Sequence, residues 1–252
     1  MRKQGRPQKV KGKVGRPKLL HNTQEGYRYL PRRPSAFTGL MRPRRSCTMK
    51  ASKLRDALFC NCLKSCGSDC LNRCALVQCD ASNCGRGGRC ENRPFNQCTN
   101  LKEFQVQDTA EKGQGLFCKR QFKEGSFVLE YVGEVRSSQD DGSGGHSAYR
   151  MMVDDLTVID GVDSGHPSRF INHSCEPNLE CQRWCVGDHT RVGFFAARDI
   201  ERGAELTFDY DFESGGFKCN CGAATCKGWV GKRWMLVLDF SKLISYCRSC
   251  KA

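Results

Sequence analysis

Between residues 104 and 208 the hydrophobic positions fall into short runs of β type: FQVQD at 104–108, GLFCK at 115–119, SFVLEYVGEV at 126–135, AYRMMV at 148–153, LTVID at 156–160, RVGFFAAR at 191–198 and ELTF at 205–208. The runs are separated by Gly, Asp and Ser, so each predicts a strand that ends in a turn. The expected fold class is mostly β with irregular loops. Two stretches read as helix instead, a short one over 47–59 (CTMKASKLRDALF) and a C-terminal one over 232–246 (KRWMLVLDFSKLISY). Residues 139–147 (QDDGSGGHS) predict a flexible insertion. Ahead of residue 47 the chain has few apolar positions, several prolines and no sustained period. Such a segment buries too little surface to fold, and a disordered arm over 1–46 is expected.

Charge sharpens that boundary. The 252 residues carry a formal charge of +14; 15 Lys or Arg and one acid lie in residues 1–50, leaving 26 basic and 26 acidic residues for 51–252. A balanced body with a basic arm implies attraction to a polyanion, either nucleic acid or an anionic membrane face. Within the arm, Lys3-Gln4-Gly5-Arg6-Pro7 and Lys13-Val14-Gly15-Arg16-Pro17-Lys18 share a Gly-Arg-Pro core. The two pieces resemble AT-hooks. A flat, extended Gly-Arg-Pro fits a narrow A·T minor groove, whose negative potential draws in arginine. Arg6 and Arg16 are the candidate DNA-binding residues, with A·T-rich DNA as the partner; a plain basic tail or nuclear-import signal is the alternative.

Nineteen cysteines bring in metal chemistry. The N-terminal MRKQGRPQKVKGK has no apolar signal core and no apolar run is long enough to span a membrane, so a reducing compartment and no membrane partner are expected. In such a compartment closely spaced cysteines act as metal ligands rather than disulfides. Nine of them run Cys60-x-Cys62-x3-Cys66-x3-Cys70-x3-Cys74-x4-Cys79-x4-Cys84-x5-Cys90-x7-Cys98. Zinc takes four tetrahedral thiolates, and in a small module it replaces hydrophobic burial as the source of stability. Nine ligands do not fill two separate four-cysteine sites without remainder.

The segment from Cys66 to Cys90, with its run CGSDCLNRCALVQC, resembles the AWS (associated-with-SET) pre-SET module of histone H3 lysine-36 methyltransferases. That resemblance implies seven cysteines around two zinc ions with one bridging thiolate. The first ion would take Cys60, Cys62, Cys66 and Cys70, the second Cys66, Cys79, Cys84 and Cys90. Cys74 and Cys98 are left over and read as small buried apolar residues. Cys219-x-Cys221-x4-Cys226 offers three ligands of a third site. A post-SET segment in the same family is completed by the cysteine of Asn172-His173-Ser174-Cys175, which makes Cys175 the fourth ligand and gives three zinc ions in all. Cys247-x-x-Cys250 looks like half a zinc knuckle and reads as empty.

Four motifs in order resemble a SET domain: Lys112-Gly113-Gln114-Gly115-Leu116, Glu130-Tyr131-Val132-Gly133-Glu134, Arg169-Phe170-Ile171-Asn172-His173-Ser174-Cys175, and Glu205-Leu206-Thr207-Phe208-Asp209-Tyr210. The resemblance covers residues 60 to about 231 and implies a SET-domain β-clip fold. The chain then divides into the arm (1–46), an AWS/pre-SET zinc cluster (55–103), a SET domain (104–212), a post-SET zinc segment (213–231) and a C-terminal helix or tail (232–252). The activity implied is methyl transfer from S-adenosylmethionine to a lysine of histone H3, with lysine 36 in the nucleosome as substrate and the nucleus and chromosome as location. Such a displacement needs an amine stripped of its proton, from a reference pKa of about 10.4, and aligned with the methyl group in a water-poor channel.

By the same resemblance Tyr210 is catalytic, its hydroxyl orienting the amine together with backbone carbonyls. Phe208, two residues earlier, governs how many methyl groups are added: it lacks the hydroxyl that would anchor a water in the space a methylated amine needs, which implies a di- or trimethyl product. Lys112, Gly113, Gln114, Gly115, Tyr149, Asn172 and His173 are the cofactor-binding candidates, the glycines because they let the backbone come close. Arg169 reads as a structural hydrogen-bond donor. Two rival readings stay open, a noncatalytic zinc-containing chromatin or DNA-binding module, and a SET enzyme for another histone lysine or a nonhistone protein.

Overall fold

The computed structural model describes residues 59–138, 149–212 and 216–231. The arm with Arg6 and Arg16, the insertion over 139–147, the helix expected over 232–246 and all but Phe59 of the helix expected over 47–59 lie outside the described residues. The described chain is mostly strand: β1 Phe104–Thr109, β2 Gly113–Cys118, β3 Phe127–Glu130, β4 Glu134–Ser137, β5 Arg150–Met152, β6 Thr157–Asp160, β7 Asn172–His173, β8 Leu179–Val186, β9 His189–Ala196, β10 Glu205–Phe208, β11 Phe217–Lys218 and β12 Trp229–Val230. One α-helical turn, α1 Leu71–Cys74, precedes them.

Every expected apolar run carries a strand, and one run carries two. SFVLEYVGEV is cut into β3 and β4 around Gly133. A Cβ on Gly133 would stand 2.3 Å from the Asp160 carbonyl oxygen, so glycine alone lets the chain cross there. The cut sends β3 to pair with β9 and β4 to pair with β6, with Glu134 opposite Asp160. The strands form small sheets in the orders β1-β2-β10-β7, β3-β9-β8, β4-β6-β5 and β11-β12.

The core lies where these sheets meet. Leu116, Leu129, Met151, Val192, Phe194 and Leu206 are fully buried and belong to one cluster with Ile171, Phe208 and Phe212. Strand β9 is buried at five successive residues at its end, because it is covered on both faces; β8 beside it alternates more nearly. The cysteine module is joined to this body by backbone hydrogen bonds from Gln78 N–H to the Cys185 carbonyl (2.9 Å) and from Cys185 N–H to the Leu76 carbonyl (2.8 Å). An aromatic group of Phe95, Trp184 and Phe195 packs at the joint. Among the described residues no helix is long and apolar enough to cross a membrane.

Candidate active site and metal centres

The cysteine module has little apolar core of its own; its buried cluster is Cys60, Cys66, Cys70, Cys79 and Cys84, with Cys62 and Cys90 against it. Sulfur–sulfur distances are 3.7 Å for Cys60–Cys66, 3.5 Å for Cys66–Cys84 and 4.0 Å for Cys70–Cys79. Four thiolates placed tetrahedrally at the usual Zn–S length of about 2.3 Å stand roughly 3.8 Å apart, so the spacing suits zinc. Burial pushes the Cys66 thiol far above its ordinary value, and neighbouring thiols push it further. A divalent cation would supply the missing countercharge.

Two quartets converge in this module, Cys66, Cys79, Cys84 and Cys90 as expected, and Cys60, Cys66, Cys70 and Cys79. The second differs from the expected first site by one ligand. Cys79 stands where Cys62 was expected, while Cys62 lies within hydrogen-bonding reach of Cys66 and Cys70. Cys66 is common to both, as the bridging thiolate must be. Cys79 is also common because α1 and the following turn fold it back under two buried amides: Asn72 Nδ2 and Asn92 Nδ2 each donate to its sulfur at 3.3 Å. Neither asparagine stood out in the sequence; Asn72 in the run CLNRC was the available signal. Cys74 and Cys98 are exposed, not buried. The expectation of small apolar packing fails for both, since α1 turns Cys74 outward, its sulfur reaching the Ser68 carbonyl at 3.5 Å.

The third quartet forms as expected from Cys175, Cys219, Cys221 and Cys226. Cys175 and Cys219 sulfurs stand 3.8 Å apart, again a tetrahedral edge. Burial raises the Cys221 thiol, but hydrogen bonds from the Cys175 and Ala223 backbones and the neighbouring thiols outweigh it and bring Cys221 down to about 6.

Cys175 stands two residues beyond β7, and this ties the quartet to Tyr210. Strand β7 runs parallel to β10, Asn172 opposite Thr207 and His173 opposite Phe208. The chain leaving β10 thus passes His173, whose Nδ1 accepts from Tyr210 N–H at 3.2 Å while its Nε2 lies 3.5 Å from Cys175 Sγ. His173 meets Tyr210 edge-on, with ring centres 5.5 Å apart. The Tyr210 hydroxyl donates to the Ile171 carbonyl at 2.8 Å. Phe208 and Phe212 wall its ring at 4.8 and 5.4 Å, and Phe194 backs Phe208 at 4.9 Å. Tyr210 retains 9% exposure and Phe208 1%, so the tyrosine faces the site and the phenylalanine stands behind it.

A second group forms at the β1–β2 turn. Lys112 Nζ pairs with Glu205 Oε2 at 2.6 Å, and Asn172 Nδ2 donates to Glu205 Oε1 at 2.7 Å and to the Gln114 carbonyl at 3.1 Å. Gly113 has a φ of +69°, which the turn requires. At Gly115 a Cβ would stand 2.6 Å from Glu205 Oε1 and 3.0 Å from Asn172 Nδ2, so the side-chain group itself needs glycine there. The structure thus brings Lys112, Gln114, Gly115 and Asn172 together beside the carboxylate of Glu205, the first residue of the fourth motif, to which sequence reasoning gave no role. Tyr149 stands in another neighbourhood. Its carbonyl accepts from the Tyr131 hydroxyl and from Gly161 N–H, and the Arg169 guanidinium lies 4.2 Å above its ring. Arg169, expected as a hydrogen-bond donor, stacks on the aromatic rings of Tyr149 and Phe170.

A tyrosine hydroxyl tied to a carbonyl beside a parallel strand pair, with cysteine quartets on either side in sequence, is a combination that comparison with known proteins resolves. The SET domain family matches residues 113–211 and the AWS domain family matches residues 63–98. The chain carries an AWS domain followed by a SET domain. In this SET protein the AWS match covers the first cysteine module from Cys66 to Cys98, with Cys60 and Cys62 just ahead of it, and the SET match holds Tyr210, Phe208, Asn172 and His173 together. It is 39% identical over 191 residues to the human histone-lysine N-methyltransferase, H3 lysine-36 specific, a match covering 69% of this chain and 7% of that protein. It is 35% identical over 208 residues to Drosophila melanogaster histone-lysine N-methyltransferase Set2, covering 73% and 9%, and 40% identical over 178 residues to human histone-lysine N-methyltransferase SETD2, covering 66% and 7%. The SET protein therefore spans under a tenth of the length of each of these relatives.

Proposed function

We propose that this chain is an S-adenosylmethionine-dependent histone-lysine N-methyltransferase that acts on lysine 36 of histone H3 in nucleosomes, in the nucleus and on chromosomes. The observation that carries the reading is the Tyr210 hydroxyl held on the Ile171 carbonyl at 2.8 Å. A phenol has one proton, and that hydrogen bond uses it. The oxygen therefore faces the site as an acceptor, able to take an N–H of a lysine amine and turn the nitrogen lone pair away from itself. The cofactor, when bound, supplies a methyl group on a sulfonium. Tyr210 and the Ile171 carbonyl orient the amine, and Phe208, Phe212 and Phe194 exclude water. An amine in such a pocket is disfavoured as an ammonium, which promotes the neutral nucleophile.

Three zinc ions complete the enzyme, two in the AWS module of residues 55–103 and one in a post-SET segment of residues 213–231 that closes on the SET domain of 104–212. Asn172, His173, Tyr149 and the Lys112–Gly115 turn form the cofactor side. The arm of residues 1–46 holds A·T-rich DNA through Arg6 and Arg16, ahead of the body. Radiolabelled methyl transfer to recombinant nucleosomes tests the reading, with histone H3 carrying arginine at position 36 as control. Label on wild-type nucleosomes, its loss on the control, and a loss of at least about a hundredfold in Tyr210→Phe with cofactor binding kept are expected. No transfer by zinc-loaded protein would favour the noncatalytic reading, and label kept on the control would move the substrate to another lysine.

A further inference from the structure

The Lys112–Glu205–Asn172 group has a consequence for cofactor recognition. Three segments bring it together: the β1–β2 turn, the start of β10 and β7. Glu205 sits at their crossing, with its side chain 19% exposed. Its carboxylate bridges Lys112 Nζ at 2.6 Å and Asn172 Nδ2 at 2.7 Å, one oxygen to each. Its main chain is fixed too, because Asn178 Nδ2 donates to the Glu205 carbonyl at 2.7 Å and Asn178 Oδ1 accepts from Thr207 N–H at 2.9 Å.

The asparagine's orientation follows from its partners. Two acceptor oxygens, Glu205 Oε1 and the Gln114 carbonyl, face one end of the Asn172 amide. That end must be the NH2, since an oxygen there would meet two oxygens. Both amide hydrogens are then accounted for, and the opposite end is a carbonyl oxygen whose direction Glu205 sets. Gly115 is required for this arrangement, because a Cβ on it would collide with the Glu205 oxygen at 2.6 Å and with the Thr109 methyl carbon at 2.9 Å.

We propose that Glu205 is a positioning residue for cofactor binding: clasped by Lys112 and admitted by Gly115, it turns the Asn172 amide so that its oxygen is offered as an acceptor to the α-ammonium of S-adenosylmethionine. The proposal rests on the methyltransferase reading above. It makes Glu205 act through Asn172 on affinity, without touching the reacting methyl or amine. Removing a charged partner from such a pair weakens binding by about tenfold or more.

The test uses the zinc-loaded 252-residue chain and a double-mutant cycle of Glu205→Ala and Asn172→Ala, with cofactor affinity from calorimetry and steady-state kinetics on nucleosomes. Each single variant is expected to weaken S-adenosylmethionine binding by about tenfold or more and to raise its KM in step, the larger part of the loss in kcat/KM falling on KM. The double variant is expected to bind no more weakly than Asn172→Ala alone, because the carboxylate works only through that amide. Glu205→Gln, which keeps an acceptor oxygen and the side-chain shape, is expected to lose less than Glu205→Ala, and it carries the test if the alanine variant does not fold. Additive losses in the cycle, a fall in kcat with unchanged affinity, or a glutamine variant as weak as alanine would each overturn the assignment. Wild-type protein that binds no S-adenosylmethionine would instead overturn the functional reading.

Discussion

Phe208 occupies a position where the proposed reaction is expected to be sensitive to one added oxygen atom. It is 1% exposed, with Phe194 behind it and Tyr210 in front at 4.9 and 4.8 Å. Tyrosine at this position would bring a hydroxyl into a closed aromatic box, where an unpaired polar group is costly, so the hydroxyl would hold a water beside the Tyr210 oxygen. That water would fill the space a methylated amine needs in order to rotate for another transfer. Wild-type protein is therefore expected to reach the dimethyl product and Phe208→Tyr to accumulate the monomethyl form, read by mass spectrometry over a long time course. Packing alone has a different signature: Phe208→Ala should cost about 3–5 kcal/mol of stability by leaving a cavity, whereas Phe208→Tyr should alter the product ratio at nearly constant melting temperature. Wild type that stops at one methyl group with substrate exhausted would end the assignment.

Between elements, the parallel β7–β10 pair and the third cysteine quartet behave as one unit. His173 leads from Tyr210 N–H to Cys175 Sγ, and Glu176 next to Cys175 accepts from Thr225 N–H at 3.1 Å on the segment bearing Cys226. Cys175→Ala is accordingly expected to lower bound zinc from three ions to two by elemental analysis, and to cut methyl transfer at least about tenfold, while the AWS module keeps its metal. Three ions retained with full activity would separate Cys175 from the metal. This unit was partly legible in the sequence. Apolar runs announced β1 to β6, β9 and β10, and in most of these strands the apolar residues are what the sheets bury; β4 is the exception, its Val135 standing exposed. Strand β8 was missed: its buried residues after Leu179 are Cys181, Gln182, Trp184 and Cys185, types that read as ligand, polar or isolated aromatic. Cysteine spacing named three members of the third quartet and the family resemblance supplied Cys175, but spacing does not show that Cys79 comes within reach of Cys60, Cys66 and Cys70. The partners of Glu205, which stood in a quoted motif, and of Asn72 were not legible, since they lie 33 and 7 residues away.

At the scale of the whole molecule, the division of charge matters more than its total. Residues 51–252 balance 26 basic against 26 acidic groups, and the excess lies in the first 50 residues. A balanced body gains little from a polyanion, so nucleosome affinity is expected to depend on the arm and the proposed chemistry on Tyr210 far along the chain. Deleting residues 1–46 tests that separation. Each DNA phosphate that the arm no longer neutralises flattens the plot of log affinity against log salt by about 0.9, so four such phosphates reduce the slope by about 3.6, measurable between about 50 and 200 mM salt. The truncated protein is expected to bind DNA and nucleosomes more weakly and with that flatter dependence, and to methylate a short histone H3 peptide at the wild-type rate, because a peptide offers no phosphates. A preference of the intact protein for A·T-rich over G·C-rich duplexes that disappears in Arg6→Ala/Arg16→Ala would assign the binding to the Gly-Arg-Pro cores, since charge alone does not read base composition. Equal nucleosome affinity and equal salt slope with and without the arm would refute the tether and leave the folded body to find its substrate unaided.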